Sequence, residues 1–229
     1  MNSPDGPADT RMMGIVHAAL KRDLYRVREV MRATPPPRGR QRVALGQHVL
    51  WMLDVLHAHH TSEDEGLWPL VRRINPAATE LLDSMEADHQ RIAPAVEAAA
   101  AAARTYGGTT TDSARGALVN ALDVLLDVLV PHLDREVAEA MPVVAASITN
   151  REWDLIEQAH NIKPKSSREL AMEGHWLIEG IDREGYEVVV HKVPPVLRFI
   201  LVHGFGRTYR RQARVRWTPD TSAAEAVTS

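Results

Sequence analysis

Apolar residues recur every three to four positions over four long stretches of this chain, the spacing of one face of an α-helix. The stretch MMGIVHAALKRDLYRVREVMRA holds that interval across residues 11–33, and TPPPRGR ends it with three prolines that fix φ and lack amide donors. A second helical run extends from Gln41 to Arg73, with Pro69 kinking it or marking its last turns. After the turn INPAA, Thr79 to Tyr106 predicts a third helix, kinked at Pro94 and carrying the strong helix formers Ala98 to Ala103. The segment GGTTTDS then breaks the chain and offers capping side chains. A fourth helix is predicted from Asp112 to Ile148, with Pro131 and Pro142 inside it. Four long helices joined by short breaks predict an all-α fold, an up-down-up-down four-helix bundle over residues 11–150.

The flanks differ in kind. Residues 1–10 and 220–229 are expected to be disordered, and 151–219 to form an additional C-terminal appendage, helical for the most part, that ends in a basic tail. Within it REWDLIEQAH predicts a fifth helix and NIKPKSS a linker, while the β-branched GYEVVVHKVPPVLRF leaves helix and strand both open.

Composition narrows the chemistry. The 229 residues suit one main domain, and a net charge of −3 gives no support to bulk nucleic-acid binding; no specific nucleic-acid partner is expected. The absence of cysteine excludes disulfides, thiolate metal sites, cysteine nucleophiles and iron–sulfur clusters, so any metal must be held by nitrogen and oxygen. The N-terminus lacks a basic region followed by an apolar stretch and, read from the sequence, no apolar run approaches the roughly 20 residues of a membrane span, which predicts a cytoplasmic protein.

Histidine and acid four residues apart share one helix face and can reach one ion. Four such pairs occur: His59/Glu63, His60/Asp64, His132/Glu136 and His175/Glu179. Laying HHTSEDEGLWP over HLDREVAEAMP matches His59 to His132, Glu63 to Glu136 and Pro69 to Pro142, each at an offset of 73. His17 and His89 precede these pairs by 42 and 43 residues, each on the preceding predicted helix. The chain therefore contains a doubled unit, which two helical hairpins can bring to a common centre. Taken singly, His17 or His89 would be read as an ordinary core histidine. Together, four imidazoles and two carboxylates exceed the needs of one tetrahedral zinc and suit two metals sharing the carboxylates. Nitrogen-rich ligation without thiolates favours iron, with manganese or zinc behind it. At about 100° per residue His57 and His60 point away from His59 and fall outside the ligand set. Asp64, Glu65, Asp88 and Asp134 read as solvated acids or as groups orienting a ligating imidazole, and His175/Glu179, outside the repeat, as a local pair.

His17, HHTSEDEGLWP, MEADHQRI and HLDREVAEAMP together resemble the hemerythrin-like, or HHE cation-binding, domain over about residues 11–148. The resemblance implies a four-helix bundle around two non-haem iron ions, oxo- or hydroxo-bridged, with His17, His59, Glu63, His89, His132 and Glu136 as metal ligands. Oxygen-carrying hemerythrins have a His-x-x-x-His pair on the third helix, whereas Met85 stands four residues before His89 here. Reversible oxygen carriage is thereby put in doubt, and the vacant position falls to water, substrate, Glu86 or Tyr25.

The expected function is a di-iron protein that binds or reacts with dioxygen, hydrogen peroxide or nitric oxide, with catalase- or peroxidase-like turnover as its enzymatic form. The alternative is an iron, redox or oxygen sensor that signals to a partner through the C-terminal segment. From Val188 to Pro219 there is no acid but seven cations, Lys192, Arg198, Arg207, Arg210, Arg211, Arg214 and Arg216; setting them aside leaves −10 for the rest. This tail, 192–216, is expected to pack VLRFILV on the acidic bundle, with an anionic membrane surface or a protein or nucleic-acid partner as the alternatives.

Overall fold

The computed structural model describes residues 3–192, 198 and 205–218, and the first 160 of these build the bundle and its immediate flank. Helix α1 spans Arg11–Arg32 and buries Met13, His17, Leu20, Leu24, Val27 and Met31, the three-to-four spacing of one inward stripe. Helix α2, Gly39–Ser62, runs into a π-helical turn at Glu63–Leu67 and then α3, Trp68–Ile74. Helix α4 spans Thr79–Gly108 and continues through Pro94. Helix α5, Asp112–Arg135, passes through a second π-turn, Glu136–Ala140, into α6, Met141–Ser147. The predicted second and fourth helices are thus each one continuous rod with a π-turn inside it, and the architecture is the all-α bundle that the periodicity predicts.

The core has two apolar clusters. The larger holds Leu20, Leu56, Ile92 and Leu129, the smaller Met13, Leu67, Met85 and Ala140. On every long helix the histidines and glutamates of the doubled unit lie between residues of the two clusters. A polar layer therefore crosses the bundle with dry packing on either side, which holds its side chains in fixed rotamers.

Residues 3–10, expected to be disordered, form an ordered strap. Pro7 makes an isolated antiparallel bridge to Thr149, Ala8 N–H donates to the Ile148 carbonyl at 3.0 Å, and Asn150 N–H donates to the Gly6 carbonyl at 2.9 Å. The Asn150 side chain binds both Ser3 and Asp9, and Ala8 is buried. These long-range backbone bonds have no signature in local composition.

The appendage shares the bundle's core. Helix α7 spans Asn150–Ile156 behind a Thr149/Glu152 capping box and is followed by a π-turn, Glu157–Ile162. Helices α8, Ser167–Leu177, and α9, Arg183–His191, follow, and α10, Gly206–Trp217, lies against α2. The segment left between helix and strand is helical as far as His191; VLRFILV and residues 220–229 lie outside the described residues, save Arg198. Trp176 anchors α8: its indole N–H donates to Asp23 Oδ2 at 3.0 Å, the oxygen that His48 Nε2 also meets at 2.7 Å. Trp51 packs edge-on against Trp176 at 5.0 Å, and the Arg26 guanidinium lies over Trp217 at 4.1 Å.

One stretch corrects the reading of apolar runs. Asp112–Ser147 is long and apolar enough, by length and composition, to cross a membrane. In the fold it packs against α1 and α4 and turns His132 and Glu136 inward, as a bundle's core helix does.

Candidate metal centre

Two groups of convergent ligand atoms occupy the polar layer: His17, His59, Glu63 and Glu136 in one, His60, His89 and His132 in the other, with atoms within 4.8 Å of one another in each. The glutamates link them. Glu63 lies 3.1 Å from His59 Nε2 in the first group and 3.6 Å from His89 Nε2 in the second. Glu136 lies 3.5 Å from His17 Nε2 in the first and 3.7 Å from His132 Nε2 in the second. Each carboxylate thus faces one imidazole from either group.

The π-turns explain how the glutamates reach this position. Each turn begins at the glutamate, whose carbonyl accepts an i+5 bond, from Trp68 N–H to Glu63 and from Met141 N–H to Glu136. Proline follows at positions 69 and 142, where its ring would clash with the carbonyl four residues back in an unbroken α-helix. One extra residue in the turn relieves the clash. The repeat HxxxE with a proline six residues on is therefore a recipe for a π-turn at a carboxylate.

Two of the imidazoles, His17 and His89, are held by the nitrogen that faces away from the centre. His17 Nδ1 lies 3.1 Å from the Leu133 carbonyl oxygen, which can only accept, so the proton sits on Nδ1 and the Nε2 lone pair faces the centre. His89 Nδ1 lies 2.8 Å from Asp64 Oδ1, with the same consequence for its Nε2. Asp88 sits 3.6 Å from His132 Nδ1, beyond hydrogen-bond reach, and is held by Arg135 at 2.9 Å and by Arg91.

Nε2 of His60, His89 and His132 and both oxygens of Glu63 and Glu136 are buried with no hydrogen bond to meet them. Buried polar atoms left bare cost free energy, so so many aimed at one place fit a cation. Burial holds His17 and His132 down at about 3 and pushes His59 and His60 well below the usual imidazole value, so all four are neutral and their lone pairs are available. Burial also raises Glu63, which Glu136 pushes further, and raises Glu136. Two carboxylates kept from ionising by burial, one of them also by the charge of the other, are what a divalent cation would relieve.

The remaining predicted residues are placed as follows. His60, set aside by the angular argument, is buried, and its ring stacks on His89 at 4.0 Å. Helix α2 has α1 on one side and α4 on the other, so adjacent residues serve two groups: His59 faces His17 and His60 faces His89. Glu86 does not approach the centre but pairs with Arg72 at 2.8 Å, and Tyr25 is exposed beneath Arg28. Met85 is buried in the smaller apolar cluster. His57 and Glu65 face solvent. His175 stacks on Tyr209, and Glu179 accepts from Arg26 and Tyr209, a local arrangement among the appendage, α1 and α10.

A family model for the hemerythrin HHE cation binding domain matches residues 9–144. The chain belongs to this hemerythrin family. The matched residues run from the strap to the middle of α6 and take in all seven side chains that point at the hemerythrin-type centre. No curated protein and no solved structure matches the chain.

Proposed function

We propose that the chain is a non-haem di-iron protein that binds or reacts with dioxygen, hydrogen peroxide or nitric oxide. The observation that carries the reading is the pair of glutamates, each facing one imidazole of either histidine group, with both carboxylates buried and bare. His17 and His59 would hold one ion, His60, His89 and His132 the other, and Glu63 and Glu136 both. Two adjacent irons supply two-electron exchange with a diatomic or a peroxide.

The chain's own residues do the rest. The Leu133 carbonyl and Asp64 keep protons on the outer nitrogens of His17 and His89, which fixes the inward lone pairs. His59 and Glu63 also line a cavity beside the centre, whereas His60, His89 and His132 do not. The two-histidine end therefore borders this cavity, while His132 of the other group lines a separate pocket with Asp88 and Arg135. The apolar clusters on either side exclude bulk water from the layer.

Metal content by mass spectrometry, with the visible spectrum, tests the reading. About two irons per chain are expected, lost together with peroxide turnover in Glu63→Gln and Glu136→Gln. Peroxide consumption at the wild-type rate by an iron-free double variant would overturn it.

One contact favours a second reading, a sensor. The ligand-bearing π-turn touches the appendage so closely that a Cβ at Gly66 would lie 2.9 Å from His160 Nε2. A change at Glu63 could thus be felt at Glu157–Ile162. Cleavage rates beyond Asn150 that differ between metal-free and iron-loaded protein are the expected sign; identical rates in metal-free, diferrous and diferric protein exclude it.

A further inference from the structure

Between the bundle and the appendage lies a mostly apolar cavity with an open mouth. Met13, Val16 and Val55 line it from α1 and α2, and Ile156, Leu170 and Val190 from α7, α8 and α9. Its inner end is formed by His59, Ser62 and Glu63. Pockets for small organic molecules are of this kind, concave and mostly apolar with a few placed polar groups. Methionines at the wall add surface that adapts to the shape of a guest.

Apart from Glu63 at the inner end, the charged groups of the wall have partners. Lys165 pairs with Glu173 at 2.6 Å and Lys192 with Asp154 at 2.9 Å. Asn161 donates to Glu157 at 3.2 Å and reaches the Ser62 hydroxyl at 3.5 Å. His175 and Arg198 are engaged as well. Burial keeps the Glu157 carboxyl above its usual range, which lowers the charge facing the interior. An ionic guest would have to break one of these pairs and be desolvated without compensation, whereas a neutral one loses nothing.

We propose that the C-terminal segment and the bundle together form a binding site for an uncharged, apolar organic molecule whose inner end meets His59 and Glu63. The appendage is then the wall that decides which molecules approach the polar layer. This inference stands apart from the iron reading, because the apolar lining from α1, α2, α7, α8 and α9 does not depend on a metal.

Gly174 provides the test. It lies on the face of α8 that carries Leu170, Leu177 and Ile178 into the cavity, and a Cβ there would meet no atom within 4 Å. Gly174→Phe would therefore project a ring from an unobstructed Cβ on the cavity side of α8, at a helical position where glycine is the less favoured residue. Gly116, on the exposed side of α5, has the same open surroundings and gives the control Gly116→Phe. The neutral fluorophore N-phenyl-1-naphthylamine is titrated into full-length protein, metal-free and zinc-loaded, with excitation of tryptophan; Trp153 lies in the wall. The expected result is a single saturable site, competed at least about tenfold better by 1-dodecanol than by dodecanoate or dodecyltrimethylammonium. Gly174→Phe should weaken binding at least about tenfold with cooperative unfolding unchanged, and Gly116→Phe should leave it as it was. Non-saturable uptake, equal competition by the ionic chains, or indifference to Gly174→Phe would overturn the proposal. A chain that binds the probe and holds no iron removes only the iron reading; one that holds iron and fails to bind the probe removes only this one.

Discussion

A buried imidazole nitrogen with nothing to bond costs about 1–3 kcal/mol, and His60 carries one. It is tolerated because Nε2 points where Nε2 of His89 and of His132 also point. His60→Ala is accordingly expected to lower retained iron from two per chain toward about one, with the ion at His17 and His59 kept, while His57→Ala leaves the content unchanged. Equal iron in wild type and His60→Ala, measured after dialysis against a chelator, would remove His60 from the site. The six residues of the doubled unit are legible in the sequence because spacing on one helix is a local property. His60 is not, since counting angles from His59 assumes one centre per helix, whereas α2 faces two neighbours. The doublet His59-His60, read beside the missing partner at Met85, is the signal that could have found it. Tyr25 and Glu86 fail for the complementary reason, that nearness in sequence to a ligand says nothing of which way a side chain turns.

At the scale of elements, the two prolines decide where the carboxylates stand. The sequence predicts a kink or the last turns of a helix at Pro69 and places Pro142 inside a helix; the chain instead inserts a π-turn ahead of each and goes on. Helical periodicity cannot distinguish these outcomes, because an extra residue changes the register only beyond the turn. Removing the clash should let the turn relax toward α-helical register and swing Glu63 relative to His59. Pro69→Ala is thus expected to raise the thermal midpoint of the metal-free protein slightly while weakening metal affinity by about 10–100-fold, the usual effect of disturbing a ligand's support. Affinity unchanged in Pro69→Ala and Pro142→Ala, by competition with a chromophoric chelator, would show that the turns do not set the geometry.

For the molecule as a whole, burial of so many titratable groups makes stability depend on pH in two opposed ways. His17 and His132 are held at about 3, and His48, His59 and His60 are also lowered. The unfolded chain takes up protons at these groups below about 6.5 and the folded chain does not, so stability present above that value is lost as pH falls. Glu63 and Glu136 are raised, so their contribution is present below about 4.5 and lost as pH rises through their folded values. Metal-free protein should therefore be most stable near about pH 6.5, and a bound divalent cation should abolish the decline on the alkaline side. Urea midpoints between pH 4 and 9, with chelator and with zinc, check this; a flat alkaline limb without metal would contradict it. The bundle was legible from four periodic runs, but the docking of the appendage was not. It depends on Asp23 accepting from Trp176, 153 residues away, and on a strap whose Asp9 and Asp5 meet partners 141 and 146 residues along the chain.

The doubled unit also has a near-symmetry, and it is broken at one place. The offset of 73 that carries His59 onto His132 carries His60 onto Leu133, whose carbonyl serves His17. A single side chain thus divides the layer into a richer and a poorer half, and the poorer half is the one beside the cavity. Exchanging the two residues, His60→Leu with Leu133→His, would hand the third imidazole to the opposite half and leave the cavity facing a filled position. Which half borders that cavity is, in that sense, written in one residue of an otherwise mirrored pair.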